Sequence, residues 1–208
     1  MLWTVCLILC LSLARMCVSL YEKRTAHPPR VKAAGDLLEV AVVAVSVVFL
    51  VVRPFVAQAF YIPSASMRPT LRENDRILVN ELTYRFGQPA RGDVVVFRAP
   101  REALAAEGIN PGDETDFVKR VVGLPGDIVE IHHGTVYVNG EAQSEPYCRE
   151  QPFYEMGPYL VPEGKLFVMG DNRNHSNDSH RWGAVDRGRL VGRVVCILWP
   201  PSRCGAIP

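Results

Sequence analysis

The sequence predicts a mostly β domain preceded by two N-terminal transmembrane helices. Three observations carry this reading: two long apolar runs near the N-terminus, a basic segment between them, and a following series of short runs rich in Val, Ile and Phe, divided by turn residues. The chain of 208 residues has room for one modest globular domain and some membrane-associated sequence. Its formal net charge of +1 gives no global attraction to nucleic acid.

The first apolar run covers residues 1–20 and holds one charge, Arg15. A secretory signal would begin with a basic region, which is missing, so a short membrane span is the better reading. The second run, residues 37–59, is centred on Val, Ala, Leu and Phe. Strands rarely exceed about ten residues. A helix rising about 1.5 Å per residue over this run approaches the roughly 30 Å of bilayer hydrocarbon. Arg53 would snorkel to the headgroups and Pro54 would kink or end the helix. Residues 21–36 carry Lys23, Arg24, Arg30 and Lys32, which the positive-inside rule places in the cytoplasm. Residues 60–208 then form a domain on the extracytoplasmic side of the cell membrane, with the lipid bilayer as a partner.

Within that domain, runs at 76–79, 93–97, 117–122, 128–131, 135–138, 165–169 and 190–199 read as strands. His132-His133-Gly134 and Asn139-Gly140 mark hairpin turns, which makes both histidines surface residues. Residues 99–116 read as a loop with one helical turn, and about 132–160 as a small peripheral β excursion. Cys148, Cys196 and Cys204 are an odd set, so at most one disulfide forms among them. Cys196 to Cys204 closes the shortest loop, and the pairing stays open.

Three segments carry chemistry-bearing residues. In the first, Ser64 and Ser66 sit between Pro63 and Pro69, a rigid stretch close behind the second apolar run. Taken alone it would pass for a linker. The second places Lys119 and Arg120 side by side in an apolar strand, where alternation sends them to opposite faces. Such a lysine is either an edge charge or a buried amine neutralised by desolvation. The third, residues 168–183, is a polar loop containing Ser176, Asp178, His180 and Arg181. It includes two Asn-X-Ser sequons, at Asn174 and Asn177, read as chance matches. No His, Cys and carboxylate spacing suits a metal.

Taken in order, Ser-Ala-Ser-Met-Arg-Pro-Thr-Leu, Lys-Arg-Val-Val-Gly-Leu-Pro-Gly-Asp and Gly-Asp-Asn-Arg with Ser-Asn-Asp-Ser resemble the three boxes of the type I signal peptidase (leader peptidase) family, over roughly residues 55–200. The resemblance implies a membrane-bound serine endopeptidase that removes signal peptides from exported preproteins, with Ser66 as nucleophile and Lys119 as general base. It implies an oxyanion hole from the Ser64 hydroxyl and the Ser66 N–H. Ser176 would orient the lysine amine, and Asp178 would support that serine with a basic residue two positions later. That position holds His180 where the family usually shows Arg, with Arg181 beside it as a substitute. The implied cleft comprises Phe60, Ile62, Pro63, Met67, Leu71, Phe117 and Val118. Its shallow pockets would accept small side chains one and three residues before the cut.

The expected fold is thus two antiparallel sheets around a common core, with the excursion and the two membrane helices. The expected enzyme is a monomer that uses no metal or cofactor, since a lysine made neutral by burial completes a serine–lysine variant of the catalytic triad. Alternatives are another serine–lysine peptidase, such as a pilin-processing enzyme, and a catalytically dead, membrane-tethered peptide-binding β domain.

Overall fold

The computed structural model describes residues 29–47, 57–110, 112 and 115–207. The chain divides into two units, Met1–Ala57 and Gln58–Pro208. In the first, helix α1 spans Pro29–Val47 and includes Arg30, Lys32, Asp36 and Glu39. Part of the expected basic linker is therefore helical. Among the described residues no helix is long and apolar enough to cross a membrane. The expected first span lies outside the described residues. Of the second, residues 37–47 are helical, 48–56 lie outside the description, and 57–59 already belong to a strand.

Strand β1 spans Ala57–Tyr61, its last four residues in the second unit, which continues with β2 Arg76–Asn80, β3 Val94–Arg98, β4 Asp116–Gly123, β5 Ile128–His132, β6 Thr135–Val138, β7 Glu141–Ala142, β8 Met156–Leu160, β9 Lys165–Met169, β10 Val185–Asp186, β11 Leu190–Trp199 and β12 Gly205–Ala206. Short helices α2 (Thr83–Phe86), α3 (Arg101–Ala106) and α4 (Ser179–Trp182) interrupt them. The large sheet runs in the order β1-β2-β11-β3-β4-β9-β10, with β12 on β11. The small sheet runs β7-β6-β5-β8. The β2–β11, β11–β3, β3–β4 and β4–β9 pairings are antiparallel, as are those within the small sheet. The small sheet starts at Ile128, four residues ahead of the expected excursion, because β5 pairs with β6 and β8 and not with the large sheet.

The β5–β6 and β6–β7 hairpins turn where the sequence indicates. His133 (φ 51°) with Gly134, and Asn139 (φ 55°) with Gly140, take the left-handed conformation that two-residue hairpin loops require. His133 is exposed, and His132 stacks on Tyr137 with ring centroids 3.9 Å apart.

One core cluster joins the two sheets: Val129, Ile131, Val136 and Val138 pack against Val122, Phe167 and Met169. Two further clusters lie on the large sheet with its loops, so the expected common core is three clusters. One holds Val95, Phe97, Phe117 and Val121 with α3. The other holds Val94, Val96, Ile77 and Val79 with Ile62, Met67 and Leu71. The alternating residues of β3 feed these two clusters on opposite faces. Cys148, Cys196 and Cys204 are free thiols. Burial pushes the Cys148 thiol up to about 12.

Candidate active site

Between Pro63 and Pro69 the chain makes a single 3-10 turn, Ala65–Met67, that buries Ser66 and Met67. Proline at both ends limits backbone freedom. Asn172 pins the turn from the third sequence segment: its N–H donates to the Ser66 carbonyl at 3.0 Å and its side-chain amide to the Ala65 carbonyl at 3.1 Å. Gly170 approaches so closely that a side chain there would overlap both Ser176 Oγ and the Ser66 carbonyl oxygen. A glycine is needed there for space.

On β4, Lys119 shares a face with Phe117 and Val121, and Arg120 takes the opposite face. Both are buried, at 3% and 2% exposure. Lys119 Nζ donates to Ser66 Oγ at 2.8 Å, and Nζ lies 5.4 Å from the Phe117 ring centroid. Among the described residues no carboxylate pairs with Lys119. Desolvation lowers its pKa below the ordinary lysine value, against the opposing fields of Asp178, Glu107 and Asp171. Ser64 Oγ lies 3.3 Å from Ser66 Oγ.

Arg120 draws the three segments together. Its guanidinium meets Asp171 at 2.9 and 2.7 Å, donates to the Gly92 carbonyl at 2.9 Å, and lies 3.8 Å from the centroid of the Tyr147 ring. Thr70, just past the nucleophile turn, donates to the same Asp171 at 2.5 Å. A buried pair like this contributes little net stability, yet breaking it costs about 3–5 kcal/mol by stranding one charge. Sequence reasoning missed Thr70, Asp171 and Asn172. The available signal was Arg120 itself: an arginine on the inner face of an apolar strand requires a buried carboxylate.

Asp178 is fully buried and caps α4. Burial works to raise its pKa, but the hydrogen bond from His180, the Gly170 N–H and the nearby Ser176 hydroxyl outweigh it and hold the carboxyl below its ordinary value. His180 Nδ1 is 2.7 Å from Asp178 Oδ1, and Arg181 Nε donates to His180 Nε2 at 3.3 Å. The imidazole thus contacts Asp178, and Arg181 stands behind it without reaching the carboxylate. Tyr154 stacks on the same imidazole, centroids 4.1 Å apart.

Two implied features differ. Ser176 Oγ is buried beside Gly170 and Asp178 but makes no hydrogen bond to Lys119, whose hydrogen bond goes to Ser66. Leu71 does not line the cleft: its N–H donates to the Met67 carbonyl, turning it inward to 0% exposure. The other cleft residues come together. Phe60, Ile62, Pro63, Met67, Phe117 and Val118 line a cleft of about 220 Å³ that also reaches Ser64, Ser66 and Lys119. Tyr61, Val96, Ile109 and Thr115 also line it, together with the carboxylate-bearing Glu107 and Asp116.

If the His180 imidazole props Asp178, His180→Arg should keep activity, since a guanidinium can make the same contact. His180→Ala should lower it by roughly threefold to tenfold, because only part of a charge-assisted hydrogen bond, about 1.5–3 kcal/mol, is transmitted to the lysine. Steady-state cleavage rates check this. Equal rates in all three forms would remove His180 from the site's support.

A serine hydroxyl in contact with a desolvated lysine amine, beside an apolar cleft on a β scaffold, is the equipment of a serine peptidase. The chain belongs to the family described as signal peptidase, peptidase S26, which matches residues 35–199. It is 46% identical over 178 residues to a signal peptidase I of Leptolyngbya laminosa, covering 85% of this chain and 86% of that one. It is also 46% identical over 188 residues to a probable signal peptidase I-2 of Synechocystis sp., with 89% and 82% covered. A crystal structure of a signal peptidase I from Enterococcus faecalis is 31% identical, covers 51% of this chain and 96% of its own, and superposes with a TM-score of 0.42.

Proposed function

We propose that this chain removes N-terminal signal peptides from exported preproteins, cutting after small residues in Ala-X-Ala sites, with Ser66 as nucleophile and Lys119 as general base. The observation that carries this reading is the 2.8 Å contact between Ser66 Oγ and a buried lysine amine. Lysine is nearly all ammonium at neutral pH when its pKa is the ordinary value of about 10.4. Desolvation shifts it toward the neutral amine, and the same contact then runs in reverse, with the hydroxyl donating to Nζ.

As Oγ attacks the carbonyl carbon of the scissile bond, its proton passes to Lys119. The Ser64 hydroxyl and the Ser66 N–H stabilise the oxyanion. When the C–N bond breaks, Lys119 gives the proton to the departing amine, leaving the acyl group esterified to Ser66. A water then attacks the ester carbonyl as Lys119 takes its proton. When the C–O bond to Ser66 breaks, Lys119 returns that proton to Oγ, releasing the carboxylic acid product and restoring serine and neutral amine. Ser176, Asp178, His180 and Arg181 keep the polar side of the site in place. The reaction needs no metal or cofactor.

Substrate geometry supports the same reading. On one edge β4 pairs with β3 from Asp116 to Arg120, while on the other β9 pairs only from Arg120 onward. The outer edge at Phe117–Lys119 is thus open to an extended peptide adding as a strand. Incubation with a precursor bearing an Ala-X-Ala site should create a new N-terminus directly after the second Ala.

The apolar runs at 1–20 and 37–59 would hold a monomeric enzyme in the membrane, with residues 60–208 outside and the basic segment inside. Signal peptides would reach it as they leave the export machinery. In a chain whose native cysteines are replaced, a cysteine at Gly108 should react with an impermeant reagent in intact cells, and one at Ala33 only after lysis. The reverse pattern would overturn this orientation.

A further inference from the structure

The apolar cleft takes in the nucleophile segment as far as Met67. At the next residue, Arg68, a second cleft begins, about 470 Å³ in volume and of different chemistry. Arg68, Arg72, Arg149 and His175 line it, and Asn172, which clamps the Ser66 carbonyl, forms part of its wall. Arg68 is engaged by Glu73 at 2.7 Å. Arg72, Arg149 and His175 are exposed, and among the described residues their side chains form no ion pair or hydrogen bond. Of the two carboxylates in the lining, Asp171 is committed to Arg120 and Thr70. Glu150 stands alone against two free guanidiniums.

The two clefts therefore differ in chemistry. Apolar side chains dominate the lining of the first and arginines that of the second. A peptide whose scissile carbonyl meets Ser66 Oγ, with its acyl side in the apolar cleft, must send its amine side elsewhere. At about 3.3 Å per residue, an extended chain reaches the second cleft within its first few residues after the cut. Free guanidinium forks are suited to carboxylates, which they bind bidentately.

We infer that this arginine-lined cleft receives the first residues of the mature segment and favours acidic side chains there. The inference rests on Ser66 being the nucleophile. It makes Arg72 and Arg149 specificity-determining residues on the leaving side of the cut.

The test uses the full chain in neutral detergent and three peptides with one Ala-X-Ala site, carrying Asp, Asn or Lys at the second and third positions after it. The expected order of kcat/KM is Asp, then Asn, then Lys. The extremes should differ by about tenfold at low ionic strength, the scale of two exposed ion pairs, and the difference should shrink as salt is added. An Arg72→Glu, Arg149→Glu double variant should reverse the order, and Arg72→Gln, Arg149→Gln should flatten it. Both arginines are exposed and, among the described residues, their side chains form no ion pair or hydrogen bond, so the variants' thermal unfolding should match the parent's. Equal rates in the parent, or an Asp preference surviving the double reversal, would overturn the inference while leaving the Ser66 reading intact. Cleavage of none of the peptides would overturn both. A third result is a double variant that keeps the parent's peptide order and loses activity only on vesicles containing phosphatidylglycerol. That would make the cleft a lipid headgroup site and overturn the inference in favour of the membrane.

Discussion

Lys119→Met is expected to abolish peptide cleavage, by at least about 10⁴-fold, while leaving the fold as stable as the parent or more so at pH 7. The stability half follows from the sign of the pKa shift. Burial lowers the folded-state pKa of Lys119, so between that value and the unfolded value of about 10.4 the unfolded chain binds more protons than the folded one. Stability in that window rises with pH. The penalty is fully present below the folded pKa and disappears above the unfolded one. At neutral pH the lysine therefore weighs against the fold, and methionine, of similar length and apolar, relieves that burden. Lys119→Arg should be as inactive as Lys119→Met, because guanidinium does not deprotonate in this range. Cleavage assays paired with thermal unfolding of the full chain in detergent check both halves. Substantial activity in Lys119→Met would eliminate the lysine as base. An inactive and strongly destabilised variant would instead indicate a charged, structural lysine.

Replacing the Ala immediately before the cut with Phe should lower kcat/KM by at least about 100-fold. A soft apolar pocket discriminates one methylene by only about 1–3 kcal/mol. The walls here are not soft. Ile62 and Met67 are 3% and 1% exposed, locked into a core cluster, and the turn carrying Met67 is fenced by prolines and pinned by Asn172. An aromatic ring would have to displace packed core and not an exposed side chain. Rates of matched Ala and Phe precursors decide the matter. Comparable rates would show that the cleft at Phe60–Met67 does not read that side chain.

Much of this site was legible because its key residues break local rules. Ser66 lies in a stretch where proline forbids a strand, and Lys119 and Arg120 lie in a strand where charge is out of place. Alternation alone separated their faces, and the structure buries each with a different partner, Ser66 and Asp171. What stayed hidden was partnership across long sequence distances. Thr70 and Asp171 are 101 residues apart, and neither position carries a sign of the other. The edge strand β1 was hidden for another reason: its first residues continue an apolar run, so hydropathy merges them with the segment before it. Leu71 has the apolar character of the cleft residues, and only the backbone turn at Met67 reveals that it points inward. The second cleft assembles Arg68 and Arg72 with Arg149 and His175 from distant segments, which composition could not foretell.

The most direct test of the central claim, that a neutral buried lysine activates Ser66, is the pH dependence of kcat/KM for an Ala-X-Ala peptide in the wild-type chain. Desolvation of Lys119 predicts activity that falls as pH drops through an apparent pKa below the ordinary lysine value of about 10.4. Activity that appears only as pH approaches that ordinary value would show a solvated, charged lysine and contradict the mechanism.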